Sequence, residues 1–204
     1  MNLAKLKQAE QEFFKLHPEG FEDPSMQQIM KRHKMESLIE FAQLSFTPDC
    51  ASHVEQTVAN MVKLINRSSM VSMFEKPKFR DFVGRLNKPQ KDYLVDALVE
   101  LLHGNQQSGF EAFADLLMTE KIAKWTLITA FPTYFCPHKE VFIKPTTAKG
   151  IINYFEVENL VYTPKANWAF YKGYRILINQ TKKKVDSRLS PSNAAFTGFL
   201  MMSL

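Results

Sequence analysis

Trp125-Thr126-Leu127-Ile128-Thr129-Ala130-Phe131 is the stretch whose reading decides the fold. Its β-branched and aromatic residues favour a strand, as do those of Tyr134-Phe135 and Val141-Phe142-Ile143. Cys136-Pro137-His138-Lys139 lies between these runs as a turn, so the pattern predicts a β-hairpin or small sheet near residues 125–144. Pro132 and Pro137 lack the amide proton that a central strand donates, which assigns this to edge or bulged structure.

Upstream, residues 1–118 read as helices. Asp23-Pro24 and Asn87-Lys88-Pro89 are start signals, a capping residue followed closely by proline, and Thr47-Pro48-Asp49 repeats them. Met26, Ile29, Met30, Leu38, Ile39 and Ala42, then Val54, Val58, Met61, Val62 and Ile65, fall mostly at the three- and four-residue spacings of a buried helical face. Tyr93 to Leu102 forms another such face, and Gly104 is a natural stop. Downstream, Lys144-Pro145-Thr146-Thr147 begins a helix, Asn167 to Lys184 forms another, and Ser190-Pro191-Ser192 caps an apolar last one. The expected class is α+β: an irregular helical bundle over 1–118, and a basic, aromatic-rich region over 119–204 whose helices cover the strands. The two form separate units or one continuous domain.

At 204 residues, 45% hydrophobic and 23% charged, the chain can build a core without disulfides, and disorder is excluded. Seven glycines argue against Gly-rich phosphate loops. Cys50 and Cys136 read as free thiols of a reducing compartment. Residues 1–12 have no signal-peptide core, and Phe196–Leu204 is about half the length of a bilayer crossing. The expectation is a soluble, cytoplasmic protein that uses no membrane and, lacking any cofactor motif, no cofactor.

Charge is unevenly spread. Residues 121–204 hold 12 Lys and Arg against Glu140, Glu156, Glu158 and Asp186, a net of +8, whereas residues 1–120 hold 14 against 17 acids. The basic segment also carries 14 of the 25 aromatic residues. Cations beside π-faces suit phosphate backbones and stacked bases. On the helix from Asn167, Lys172, Arg175, Lys182 and Lys183 are expected to contact phosphates, with Trp168, Tyr171 and Tyr174 as stacking groups. The plainer account is an amphipathic helix with its rings in the core and its lysines in water. Lys144, Thr146, Thr147 and Lys149 form a second anion candidate, because a helix start leaves N–H groups unsatisfied. Without a Gly-rich approach it is no P-loop, and simple capping also explains it.

Other chemistry is thinner. Cys50, His53, Cys136 and His138 are a weak zinc set, because Cys-x-His is tighter than the usual ligand spacing. Cys136 and His138 resemble a thiol and base but lack an orienting third group. A metal-dependent nuclease needs clustered acids near a lysine, which Glu140 to Lys144 does not supply. The methionines, Met26, Met30, Met35, Met61 and Met70 among them, fill cores or adaptable surfaces. The last segment is apolar on nearly every side, so Phe196, Phe199 and Leu200 serve either the chain's own core or an oligomer or partner interface. Val141–Lys149 resembles segments of DNA-restriction-associated modules over nine residues, with no catalytic group among them, so the resemblance implies no residue role.

The leading expectation is a non-enzymatic binding protein whose basic C-terminal face engages nucleic acid or another polyanion. Its alternatives are a protein-interaction or assembly module built on the Met-rich helices and apolar C-terminus, or an enzyme without a recognisable motif.

Overall fold

Trp125–Phe135 is a helix. The computed structural model describes all 204 residues as eleven α-helices joined by loops and short 3₁₀ turns, with no strand. The helices are α1 (Leu3–Leu16), α2 (Pro24–His33), α3 (Met35–Ser45), α4 (Val54–Arg67), α5 (Glu75–Arg85), α6 (Lys88–His103), α7 (Gln106–Met118), α8 (Trp125–Phe135), α9 (Pro145–Tyr154), α10 (Trp168–Thr181) and α11 (Asn193–Met202). The expected hairpin near 125–144, and with it the α+β class, is therefore corrected to an all-helical fold.

The physical reason lies in burial. Every residue of α8 from Trp125 to Tyr134 is buried, and a helix that is apolar all round belongs at the centre of a bundle. Tertiary packing there outweighs the intrinsic strand preference of Thr, Ile and aromatic residues. Two threonines become compatible with a dry interior by bonding back along the helix. Thr129 Oγ1 donates to the Trp125 carbonyl and Thr133 Oγ1 to the Thr129 carbonyl, each at 2.7 Å. Phe131 meets Phe46, Phe79 and Phe113 at ring separations of 5.9, 6.1 and 5.4 Å, joining α8 to the 3₁₀-flanked end of α3, to α5 and to α7. Pro132 sits inside α8, one turn before the helix ends.

Cys136–Lys139 does turn the chain, with the Lys139 and Glu140 amides both donating to the Cys136 carbonyl. It ends a helix, however, and joins no strands. Val141, Phe142 and Ile143 follow as buried backbone outside any helix or strand, and the Ile143 amide donates to Thr129 Oγ1 at 3.0 Å where a ladder bond was expected.

Helix starts follow local chemistry. Asp23 caps α2 ahead of Pro24, Asn87 and Gln90 form a reciprocal capping box on α6, and Asn167 and Ser192 cap α10 and α11. Thr47-Pro48-Asp49 starts a 3₁₀ stretch, Pro48–His53, before α4 begins. One apolar core of 49 residues runs from Leu6 to Leu200. No helix is long and apolar enough to cross a membrane.

Candidate functional site

The polar centre of the C-terminal region is Glu140, which is only 3% exposed. Arg175 Nη1 on α10 lies 3.0 Å from both of its carboxylate oxygens, and Tyr171 Oη donates to Oε2 at 2.6 Å. Gln106 at the start of α7 accepts a further bond from Arg175. The guanidinium also lies 5.5 Å from the ring centres of both Trp168 and Tyr171. A buried carboxylate is tolerated only when paired and hydrogen-bonded, and this one is both.

Asn193, fully buried at the start of α11, closes the cluster. Its Nδ2 donates to the Glu140 carbonyl at 3.0 Å, and its Oδ1 accepts from Lys182 Nζ at 2.7 Å. Lys182 Nζ also donates to the His138 carbonyl. These bonds tie the 137–140 turn to α10 and α11. Burial, and then the neighbouring Lys183, lowers the Lys182 ammonium from its ordinary range.

Several residues expected to touch a polyanion are thereby committed to the fold. Arg175 and Lys182 hold the turn. Tyr171 is 0% and Tyr174 1% exposed, so neither ring offers a face to a base. Burial raises both phenols, with the Glu140 carboxylate adding to the effect at Tyr171. Trp168 is half-buried against Phe110 and Tyr171.

Lys144, Thr146, Lys149, Lys172 and Lys183 are exposed, and Thr147 is half-buried. Lys144 stands at the start of α9, where no side chain caps the helix, and Lys149 Nζ lies 4.9 Å from the Tyr162 ring centre. No acidic side chain pairs with Lys144, Lys149, Lys172 or Lys183.

One further cation belongs with them. Asn179 Nδ2 donates to the Lys139 carbonyl at 2.8 Å, which seats the Lys139 backbone beside the last turn of α10. Asn179 follows Lys172 by seven residues, two turns along the same side of α10, and Lys183 lies just past the helix end in the 3₁₀ turn Lys182–Lys184. Exposed Lys172 on α10, Lys139 in the turn beside the helix end and Lys183 in the 3₁₀ turn after it are thus three cations of one part of the fold. Nothing in the sequence marks Lys139 for this role, since only the fold of the turn brings it to α10.

The acids of the region are largely spent. Glu140 is buried with Arg175, Glu156 pairs with Lys5 at 2.7 Å, and Asp186 pairs with Arg188 at 2.8 Å. Hydrogen bonds from Lys5 and then Asn2 lower the Glu156 carboxyl, while those from the Arg188 side chain and backbone bring Asp186 down to about 2.

The proposed catalytic and metal sets do not assemble. No group of three or more His, Cys, Asp or Glu side chains is placed to hold a metal ion, so Cys50, His53, Cys136 and His138 are not brought together. Cys50 is buried and His53 exposed. Cys136 does line a polar cavity of about 250 Å³ with His103, Gln106, Lys139 and Glu140. Burial and then Glu140 push its thiol up, away from the thiolate a nucleophile needs. His103 Nε2 is occupied by the Phe46 carbonyl at 2.8 Å, and no hydrogen bond joins His138 to Cys136.

Phe196, Phe199 and Leu200 are fully buried in the chain's own core. The solvent side of α11 is formed instead by Met201 and Met202.

Comparison with known protein families, curated proteins and solved structures gave no match.

Proposed function

We propose that this chain is a non-enzymatic binding protein that holds a polyanion along α10. The observation that carries this reading is the row of exposed, unpaired lysines Lys172, Lys139 and Lys183 beside a carboxylate already neutralised within the fold. One cation on α10 and two beside its C-terminal end suit a phosphate backbone, and each phosphate contact releases a condensed counterion. Lys144 and Lys149 extend the basic character of the same region.

The burial of Tyr171 and Tyr174 gives the reading a definite form. Recognition runs through charge, without stacking, so it does not discriminate among bases or between one strand and two. The test is competition at low salt among single-stranded DNA, duplex DNA, RNA and a sulfated polysaccharide of equal charge. The expected result is displacement by all four at comparable charge concentration, with affinity collapsing as salt rises. Binding to one nucleic acid alone, or binding unaffected by salt, contradicts it.

A further inference from the structure

A second cavity, separate from the α10 row, opens among α2, α9, α11 and the loop after α4, with a volume of about 270 Å³. Met30, Met70, Met201 and Met202 line it with Phe142 and Ala195, and Met201 and Met202 are 44% and 46% exposed. Thioethers on flexible stems adapt to a guest's shape, which suits a site that must stay apolar and open. Thr147 Oγ1 reaches the sulfur of Met201 at 3.5 Å, and His33 Nδ1 lies 2.7 Å from Ser69 Oγ, so the polar groups at its edge are partly engaged.

Two features narrow the occupant. The ionisable side chains of the lining are Lys144 and His33, with no carboxylate among them, and Lys144 has no acidic partner in the fold. The cavity is also of modest size, about 270 Å³. An apolar space of that size with one cation at its edge suits a small aliphatic guest that carries one anionic end. We infer that this groove binds a medium-chain aliphatic carboxylate, with its chain among the methionines and its carboxylate on Lys144. The charge is single, like that of the lysine, and the body is apolar, like the methionine lining.

Calorimetric titration of the full chain with decanoate, octanoate and 1-decanol, all below their aggregation limits, tests this. Decanoate is expected to bind about fifteenfold more tightly than octanoate, from about fourfold for each buried methylene. It should exceed the alcohol by about tenfold, as a charge-assisted contact allows. Lys144→Met should erase the acid-over-alcohol preference while keeping decanol binding. Gly198→Leu provides the second variant: a Cβ at Gly198 meets nothing within 4 Å, and this residue lines the cavity, so the added side chain enters open space. Replacing a mid-helix glycine also favours α11, so the variant should fold and bind neither ligand. Equal affinity for acid and alcohol in the unaltered chain, no dependence on chain length, or undiminished binding by folded Gly198→Leu overturns the proposal.

Discussion

Arg175, partly buried, pairs with the buried Glu140 so that one guanidinium nitrogen lies 3.0 Å from both carboxylate oxygens. The pair joins α10 to the turn after α8, and with Tyr171 and Asn193 it fixes where the exposed lysines of this region stand. Its charge serves the fold, which is why the most central cation of α10 is not part of the binding row.

Removing one partner should expose that dependence. Glu140→Ala leaves Arg175 without its counter-charge and is expected to cost about 3–5 kcal/mol, read by urea denaturation with an unchanged slope. Replacing both residues by methionine should cost distinctly less, because no unpaired charge remains. A double variant as unstable as the single one contradicts this account.

Glycines in the helices should respond with opposite signs. A Cβ at Gly109 would lie 2.1 Å from the Leu101 amide nitrogen, where α7 meets α6 backbone to backbone. Gly109→Ala is therefore expected to cost about 3 kcal/mol or more, since neither backbone can yield cheaply. Gly198→Ala meets nothing within 4 Å and should stabilise by about 0.5–1 kcal/mol through helix propensity. Thermal melts of the two variants, compared with the unaltered chain, decide both.

Alkaline pH should weaken the fold through its buried tyrosines. Burial pushes Tyr134 up to about 12, partly offset by its 2.8 Å bond to Ser68, and Tyr171 and Tyr174 are also raised. An unfolded tyrosine titrates at about 10, so above that pH the native state holds protons that the unfolded state has lost. Their contribution is complete below about pH 10 and is lost as pH rises through about 12. Tyr134→Phe should cost about 1 kcal/mol at neutral pH, by leaving Ser68 Oγ with the Met70 amide alone, yet lose stability less steeply over that alkaline window. Denaturation curves at stepped pH measure both effects, and an unchanged alkaline slope contradicts the assignment.

Local signals were legible where local chemistry decides. Asp23, Asn87, Asn167 and Ser192 cap the helices that their sequence contexts announce. At α8 the same reading failed. Its strand-forming residues are overruled by complete burial, and its threonines bond to their own helix through Oγ, which composition does not reveal. The site shows the same division. Exposure of Lys172 follows from the face of α10 it occupies and that of Lys183 from the basic turn after the helix, whereas the engagement of Arg175 depends on a glutamate 35 residues away. The approach of Lys139 likewise depends on Asn179, 40 residues further along.

The salt dependence of binding to a short DNA duplex tests the lysine row most directly. The unaltered chain is compared with a variant in which Lys139, Lys172 and Lys183 are all glutamine. All three are exposed and without ion pairs, so the variant should keep its fold. If each lysine neutralises one phosphate, the slope of log K against log salt should become shallower by roughly 2.7, at about 0.9 per contact. An identical slope, or a chain that binds no duplex even at low salt, would contradict the account.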